Sequence, residues 1–517
     1  MAKRKITMEQ LEEEIGDAIY ELLEWKVKKS AYSNFVYEEI LRNKRRLRNA
    51  LRECIWKPES KAYVKSVIEE VLHKKYSIDG YMLEQLLPFE TGQETGRDML
   101  EYLLLIYKRD HGNKAFAKIL EEPELQPEQA QISLKQMRLF FNRKRYIELE
   151  FEEKMEFLTE RLYAGYRGLG VIDVLLSQAV DGISGGVSGN SERENSIWIF
   201  LKGESVHLSF LEFGSKQELI RVCQNLSRNH QMGQLSQEKG YLIRDFSGQA
   251  RVVVARPPFA ENWVFFIRKF DGLTYRMPED LITDKNCNLP LELLKWLIKG
   301  CQVLAITGAQ GSGKTTLLMS LVSFIPDKYT LRIQESAFEL NLRKTYPERN
   351  IVSFQETKTI SGQEGLDLQK KTDGVVSLLG EVASPKLAAL MIQLGQAASK
   401  YTLFTHHANT TRDLVIWLRN SLLQEGSFQD ESTALSQVLD VVKLDIHMGM
   451  KDGHRYIERI TEIVPAPETK EGFRENQLIS YKNGTYVLVG YLSGKGRERI
   501  EAHLSMEEKL EFQKLFE

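Results

Sequence analysis

From the first residue to about position 167, apolar side chains recur every three to four positions among Glu, Lys, Arg and Leu, with few glycines or prolines, so this third of the chain predicts helices. Phe151, Met155, Leu158 and Leu162 mark one such stripe. The charge runs Lys44-Arg45-Arg46-Leu47-Arg48 and Arg143-Lys144-Arg145 are expected on a solvated outer face. Between Gly182 and Asn190 the composition turns abruptly to Gly and Ser, which predicts a flexible loop or turn cluster. Short alternating segments follow at 196–200, 205–213, 240–246 and 251–256, with a polar helical stretch at 216–228, the texture of a small α+β domain. A connector rich in turn residues, 271–290, leads into apolar strands alternating with helical patterns as far as about residue 419, the signature of an α/β sheet. Helical and short strand patterns continue to the end, where Ser505 reads as an N-cap with Glu508 as its capping-box partner. The expected division is a helical, charged domain at 1–165, an α+β domain at 166–275, and a P-loop α/β domain at 276–517.

Composition narrows the function. The chain has 517 residues, 42% hydrophobic and 27% charged, enough apolar material for more than one core. Its 70 Lys and Arg against 72 Asp and Glu leave a net charge of −2, which offers no chain-wide attraction for nucleic acid or anionic lipid. Cys54, Cys223, Cys287 and Cys301 form no C-x-x-C pair, which argues against a disulfide framework or a four-cysteine zinc site and fits a reducing compartment. The N-terminus lacks the apolar core of a signal peptide, and no run of 18 apolar residues occurs, so any membrane link is expected to be peripheral.

The strongest chemical signal is Gly308-Ala309-Gln310-Gly311-Ser312-Gly313-Lys314-Thr315-Thr316, preceded by an apolar strand pattern and followed by an apolar helical one. It fits G-x-x-x-x-G-K-[ST], in which glycines curl the backbone so that N–H groups face phosphate oxygens and the next helix adds its positive end. Lys314 would reach the β- and γ-phosphates of ATP, and the Thr315 hydroxyl would be given to Mg2+. Hydrolysis also needs a carboxylate to position water and one in the metal shell. Glu335, after the strand pattern 329–333, and Glu381, after 375–380, are the candidates, with Glu381 reaching the metal through water.

At this point the residues resemble the secretion ATPase superfamily of type II and type IV secretion and type IV pili, a RecA-like fold. Thr405-His406-His407-Ala408-Asn409 looks like the family's histidine box, with His407 in the matching place. Glu335-Ser336-Ala337-Phe338-Glu339-Leu340 resembles its aspartate box and Leu378-Leu379-Gly380-Glu381-Val382 its Walker B. Segments at 166–176, 248–252 and 266–270 resemble the N-terminal domain, where Arg251 and Arg268 match arginines that reach nucleotide phosphates. A missing tetracysteine module makes the tight-adherence pilus ATPases and type IV secretion traffic ATPases the nearest look. The resemblance spans about residues 165–465. It implies a cytoplasmic, peripherally membrane-associated homohexameric ring that acts on inner-membrane platform proteins, with ATP and Mg2+ and without specific nucleic acid.

Three departures stand beside it. The family's Leu-Arg-x-x-Pro-Asp is here Leu368-Gln369-Lys370-Lys371-Thr372-Asp373, an arginine after the Walker B glutamate is replaced by Ala383, and Ser336 stands for an aspartate. Lysines at 370 and 371 lack the planar fork of a guanidinium. The sequence therefore leaves open an ATP-hydrolysing motor, a nucleotide-binding structural or regulatory subunit with little turnover, and a nucleic-acid translocase on a similar core, the last disfavoured by the charge balance.

Overall fold

The computed structural model describes the chain apart from residues 1–5, 26–32, 77, 88, 90–91, 129, 189–193, 202–203, 228–234, 247–249, 271–276, 358–359, 370, 398, 427, 452 and 516–517. Gly189, Asn190, Gly248, Gln249, Lys370 and the expected 275/276 boundary lie outside the described residues. The chain divides into two compact units, Met1–Gly272 and Leu273–Glu517.

The first unit combines helices with a seven-stranded sheet. Its strands are β1 (Gln131–Ile132), β2 (Gly182–Gly185), β3 (Ile197–Leu201), β4 (Glu204–Leu208), β5 (Tyr241–Phe246), β6 (Ala250–Ala255) and β7 (Val264–Lys269), in the order β1-β4-β3-β2-β7-β6-β5. Helices at Met8–Glu24, Asn34–Glu53, Pro58–Lys75, Gly96–His111, Leu134–Lys144 and Phe151–Tyr166 supply most of the residues ahead of β2. One continuous apolar core runs from Leu11 and Ile15 through Leu158 and Leu162 to Ile199, Val252 and Ile267. The boundary expected near residue 165 thus falls inside this core: Trp56 stacks on Phe246 with ring centroids 4.2 Å apart, and β1 pairs with β4.

Two local expectations differ. Gly182–Gly185, expected as a turn cluster, is a strand paired on both sides, with β3 and with β7. Glycine is needed there because a Cβ at Gly185 would lie 2.5 Å from the Phe265 ring and one at Gly182 2.9 Å from the Ile267 carbonyl. Met155, Leu158 and Leu162 are buried as their spacing predicts, whereas Phe151, in the first turn, is 42% exposed.

The second unit is an α/β fold built on nine strands: β8 (Leu304–Gly308), β9 (Leu331–Glu335), β10 (Ile351–Gln355), β11 (Val376–Leu379), β12 (Tyr401–His406), β13 (Leu444–Lys451), β14 (His454–Pro465), β15 (Phe473–Lys482) and β16 (Thr485–Leu488). Their order is β10-β9-β11-β12-β8-β13-β14-β15-β16. Pairings from β10 to β13 are parallel, and those from β13 to β16 antiparallel. β8, β9, β11 and β12 are buried along their whole length, as strands covered on both faces must be, and the polar residues they carry, among them Arg332, Gln334 and Thr402, are buried with them. Because β12 inserts between β8 and β11, the carboxyl ends of three neighbouring strands converge, the usual place for ligands in such sheets. The last helix, Met506–Lys514, has the Ser505 and Glu508 capping box.

Candidate nucleotide site

The P-loop leaves β8 at Gly308 and ends at the helix Lys314–Leu321. Gly308, Gly311 and Gly313 have φ of 137°, 78° and 93°, a backbone path that side chains rarely tolerate. A Cβ at Gly308 would also lie 2.4 Å from the Met448 carbonyl. Ala309, Gln310 and Ser312 fill the intervening loop positions. Lys314, Thr315 and Thr316 form the first helical turn, where backbone N–H groups have no intrahelical acceptor and favour an anion.

Lys314 is buried and donates to the carbonyls of Gly308 (2.9 Å) and Ala309 (2.8 Å), with His407 Nδ1 3.3 Å away. An ammonium has only donors, so Nδ1 must accept and the imidazole proton sits on Nε2. Nε2 in turn faces Glu381 Oε1 at 3.2 Å. Three residues from the P-loop, the end of β12 and the loop after β11 are thereby brought together. The loops are pinned to one another: Thr405 Oγ1 donates to the Gly380 carbonyl (2.5 Å), and Val382 N donates to the Thr405 carbonyl (2.9 Å). His406 points the other way, its Nδ1 2.8 Å from the buried Val382 carbonyl, and burial lowers its basicity.

Glu335 ends β9 next to Gly380, the residue before Glu381. It is buried, and one oxygen accepts from Leu340 N at 2.8 Å. Burial pushes its carboxyl up to about 7, against the pull of the Leu340 and Glu339 amides. Arg251 and Arg268 belong to the first unit, directly opposite each other on β6 and β7. Arg251 pairs with Asp245 at 2.8 Å.

Sequence patterns did not reveal a buried polar cluster behind the P-loop. Asp445, fully buried on β13, accepts from Thr307 Oγ1 and from Thr411 Oγ1, each at 2.6 Å. Arg459 lies 3.8 Å from it and donates to the Asn409 carbonyl at 3.1 Å. Thr307 Oγ1 is also 2.8 Å from His447 Nδ1; since the threonine's single proton goes to Asp445, the histidine must be the donor. Burial, reinforced by Arg459 and Lys314, pushes His447 down to about 4. Burial raises the Asp445 carboxyl, opposed by the two threonine hydroxyls and Arg459. Arg455 on β14 donates to the Gly311 carbonyl at 2.8 Å, so the antiparallel hairpin grips the P-loop as well. The one available signal was an Asp and a His alternating with apolar residues in Leu444-Asp445-Ile446-His447.

Among the solved structures similar to this chain are three ATPases or motors. The VirB11 ATPase of the Brucella suis type IV secretion system, in complex with sulphate, is 20% identical over 57% of this chain and 94% of its own, with a TM-score of 0.31. The Legionella pneumophila ATPase DotB is 15% identical over 66% and 86%, TM-score 0.39. The pilus retraction motor PilT with bound ADP is 13% identical over 66% and 88%, TM-score 0.39. No family model matches the chain, and no curated protein matches it.

Proposed function

We propose that this protein is an ATP-hydrolysing motor of a secretion or pilus machine, working as a self-assembled hexameric ring at the cytoplasmic face of a membrane, on platform proteins embedded there. The observation that carries the reading is the convergence of Lys314, His407 and Glu381 at the mouth of a glycine-shaped loop. The helix N-terminus and Lys314 suit the triphosphate, and one hydroxyl, Thr315, with one carboxylate, Glu381, suits Mg2+, which keeps few protein ligands beside phosphates and water. When bound, Mg2+ offsets phosphate charge. Glu381 holds a water or its proton near the γ-phosphate, and His407 couples that carboxylate to Lys314, so the presence of the γ-phosphate is transmitted to the Walker B loop. Glu335, partly protonated at neutral pH, serves as a second proton acceptor close by. Arg251 and Arg268 supply positive charge to the phosphates from the first unit.

A second reading, a nucleotide-binding regulatory subunit with slow turnover, is favoured by one observation. Lys371 is exposed, Ala383 carries no charge, and Gln369 is turned inward to donate to Gln334 at 3.2 Å. No arginine stands at positions 369 and 383, where the resemblance expects one.

Steady-state ATP hydrolysis measured across protein concentrations separates the two. Turnover per chain that rises with concentration, vanishes in Lys314→Ala and falls about 100-fold or more in Glu381→Gln supports the motor. Nucleotide binding without turnover above the Lys314→Ala blank supports the regulatory subunit.

A further inference from the structure

The first two helices carry opposite charge. Met8–Glu24 holds seven carboxylates and no Lys or Arg. Its buried side is Leu11, Ile15, Ala18 and Ile19, and Glu9, Glu13, Asp17, Glu21 and Glu24 are exposed. Asn34–Glu53 holds six cations and no carboxylate between Arg42 and Arg52. Helical spacing sets Arg42, Arg45, Asn49 and Arg52 away from Leu47 and Ala50, the residues it buries.

The two helices do not neutralise each other. Links between them include Lys44 to the Trp25 carbonyl and Arg48 to the Leu23 carbonyl, cations closing the C-terminal end of the acidic helix. Arg46 lies over the Tyr63 ring. Among the described residues Arg42, Arg45 and Arg52 on one helix, and Glu13, Asp17 and Glu21 on the other, have no side-chain partner. Beside them Tyr20, Trp25 and Phe35 are 64%, 48% and 79% exposed. Exposed aromatics flanked by unpaired charge are the composition of an interface, with apolar anchors and a charged rim that sets the partner.

We infer that these two faces dock on each other between copies of the chain, the acidic helix Met8–Glu24 of one copy against the basic helix Asn34–Glu53 of the next. Each copy carries both signs on separate helices, so one neighbour supplies the complement of its acidic helix and the other neighbour that of its basic helix. An anionic lipid surface would attract Arg42, Arg45 and Arg52 but repel carboxylates on the helix in contact with them, within a Debye length of about 8–10 Å. This rests on the self-assembling reading above.

Charge reversal tests it on the full chain. Sedimentation velocity is run over a concentration series, at low and high salt, for wild type, for Glu13→Lys/Asp17→Lys/Glu21→Lys, for Arg42→Glu/Arg45→Glu/Arg52→Glu, and for all six together. Each triple variant is expected to raise the concentration needed for assembly about tenfold or more. The sixfold variant returns to within about threefold of wild type, and high salt weakens wild type. Failure of the sixfold variant to recover, sensitivity to the arginine set alone, or a wild type that never self-associates each overturns the inference. Binding of a fluorescent ATP analogue to the same variants reports on the P-loop separately, so loss of the nucleotide reading is distinguishable from loss of this one.

Discussion

Replacing Glu335 by Gln, or His447 by Asn, should tilt the pH dependence of the second unit's stability in opposite directions. Folded Glu335 protonates at about 7 against 4.5 when solvated, so between those values the folded state holds the extra proton. Its stabilising contribution is complete below pH 4.5 and is lost as pH rises to 7. His447 is the reverse: the unfolded ring protonates at 6.5 and the folded one at about 4, so stability rises with pH across that window. At about 1.4 kcal/mol for each tenfold change in proton affinity, Glu335 contributes on the order of 3 kcal/mol, and His447 about 2 after allowing for solvent screening at the edge of its ring. The two slopes oppose each other between pH 4.5 and 6.5, and wild type should be nearly flat there as far as these groups decide. Glu335→Gln exposes the rising slope of His447, and His447→Asn, which keeps an amide where Nδ1 was, exposes the falling slope of Glu335. For a unit of this size 1 kcal/mol moves the midpoint by roughly 2–4 °C, so calorimetry at pH 4.5, 5.5 and 6.5 should show shifts of about 4–12 °C of opposite sign. Parallel curves for wild type and both variants would refute the reasoning.

Other outcomes follow from the same geometry. Thr307→Val removes a donor to buried Asp445 and the acceptor of His447, and should lower the stability of the second unit by about 2–4 kcal/mol in calorimetry, more than Thr411→Val, which breaks one bond. His407→Ala should lower kcat by about 10–100-fold with little change in KM for ATP, because Lys314 keeps its two carbonyl acceptors. Arg455→Ala frees the Gly311 carbonyl and should weaken nucleotide binding several-fold by titration, with Arg455→Lys, which loses the Nε donor, close behind. Arg251→Ala, which removes the pairing with Asp245, should reduce turnover per chain while equilibrium binding of ADP to the full chain stays unchanged.

The sequence conveyed whatever is local. The P-loop, the strand-end glutamates and the terminal capping box each lie within a few consecutive residues, so spacing alone exposes them. Glu381 and His407 could be proposed individually, but their approach depends on β12 inserting next to β11, which no short window records. Asp445 and Arg455 escaped because their partners, Thr307 and Gly311, are about 140 residues away in the chain. Gly182–Gly185 read as a loop because glycine marks both turns and tight strand packing, and only the Phe265 ring decides between them. The division at 165 looked natural from the change in texture; a change of texture is not a break in a core.

That shared core fixes how the first unit can be taken apart. A fragment beginning at residue 166 would lose Leu158 and Leu162 from beneath the sheet, Trp56 from the Phe246 ring, and the β1 segment from the edge of β4. It would present a bare apolar face and an unpaired strand, and should precipitate rather than fold. The helical segment is therefore not a detachable cassette: it shares one core with the strands it covers, so a substitution on either side of residue 165 changes what the other side packs against.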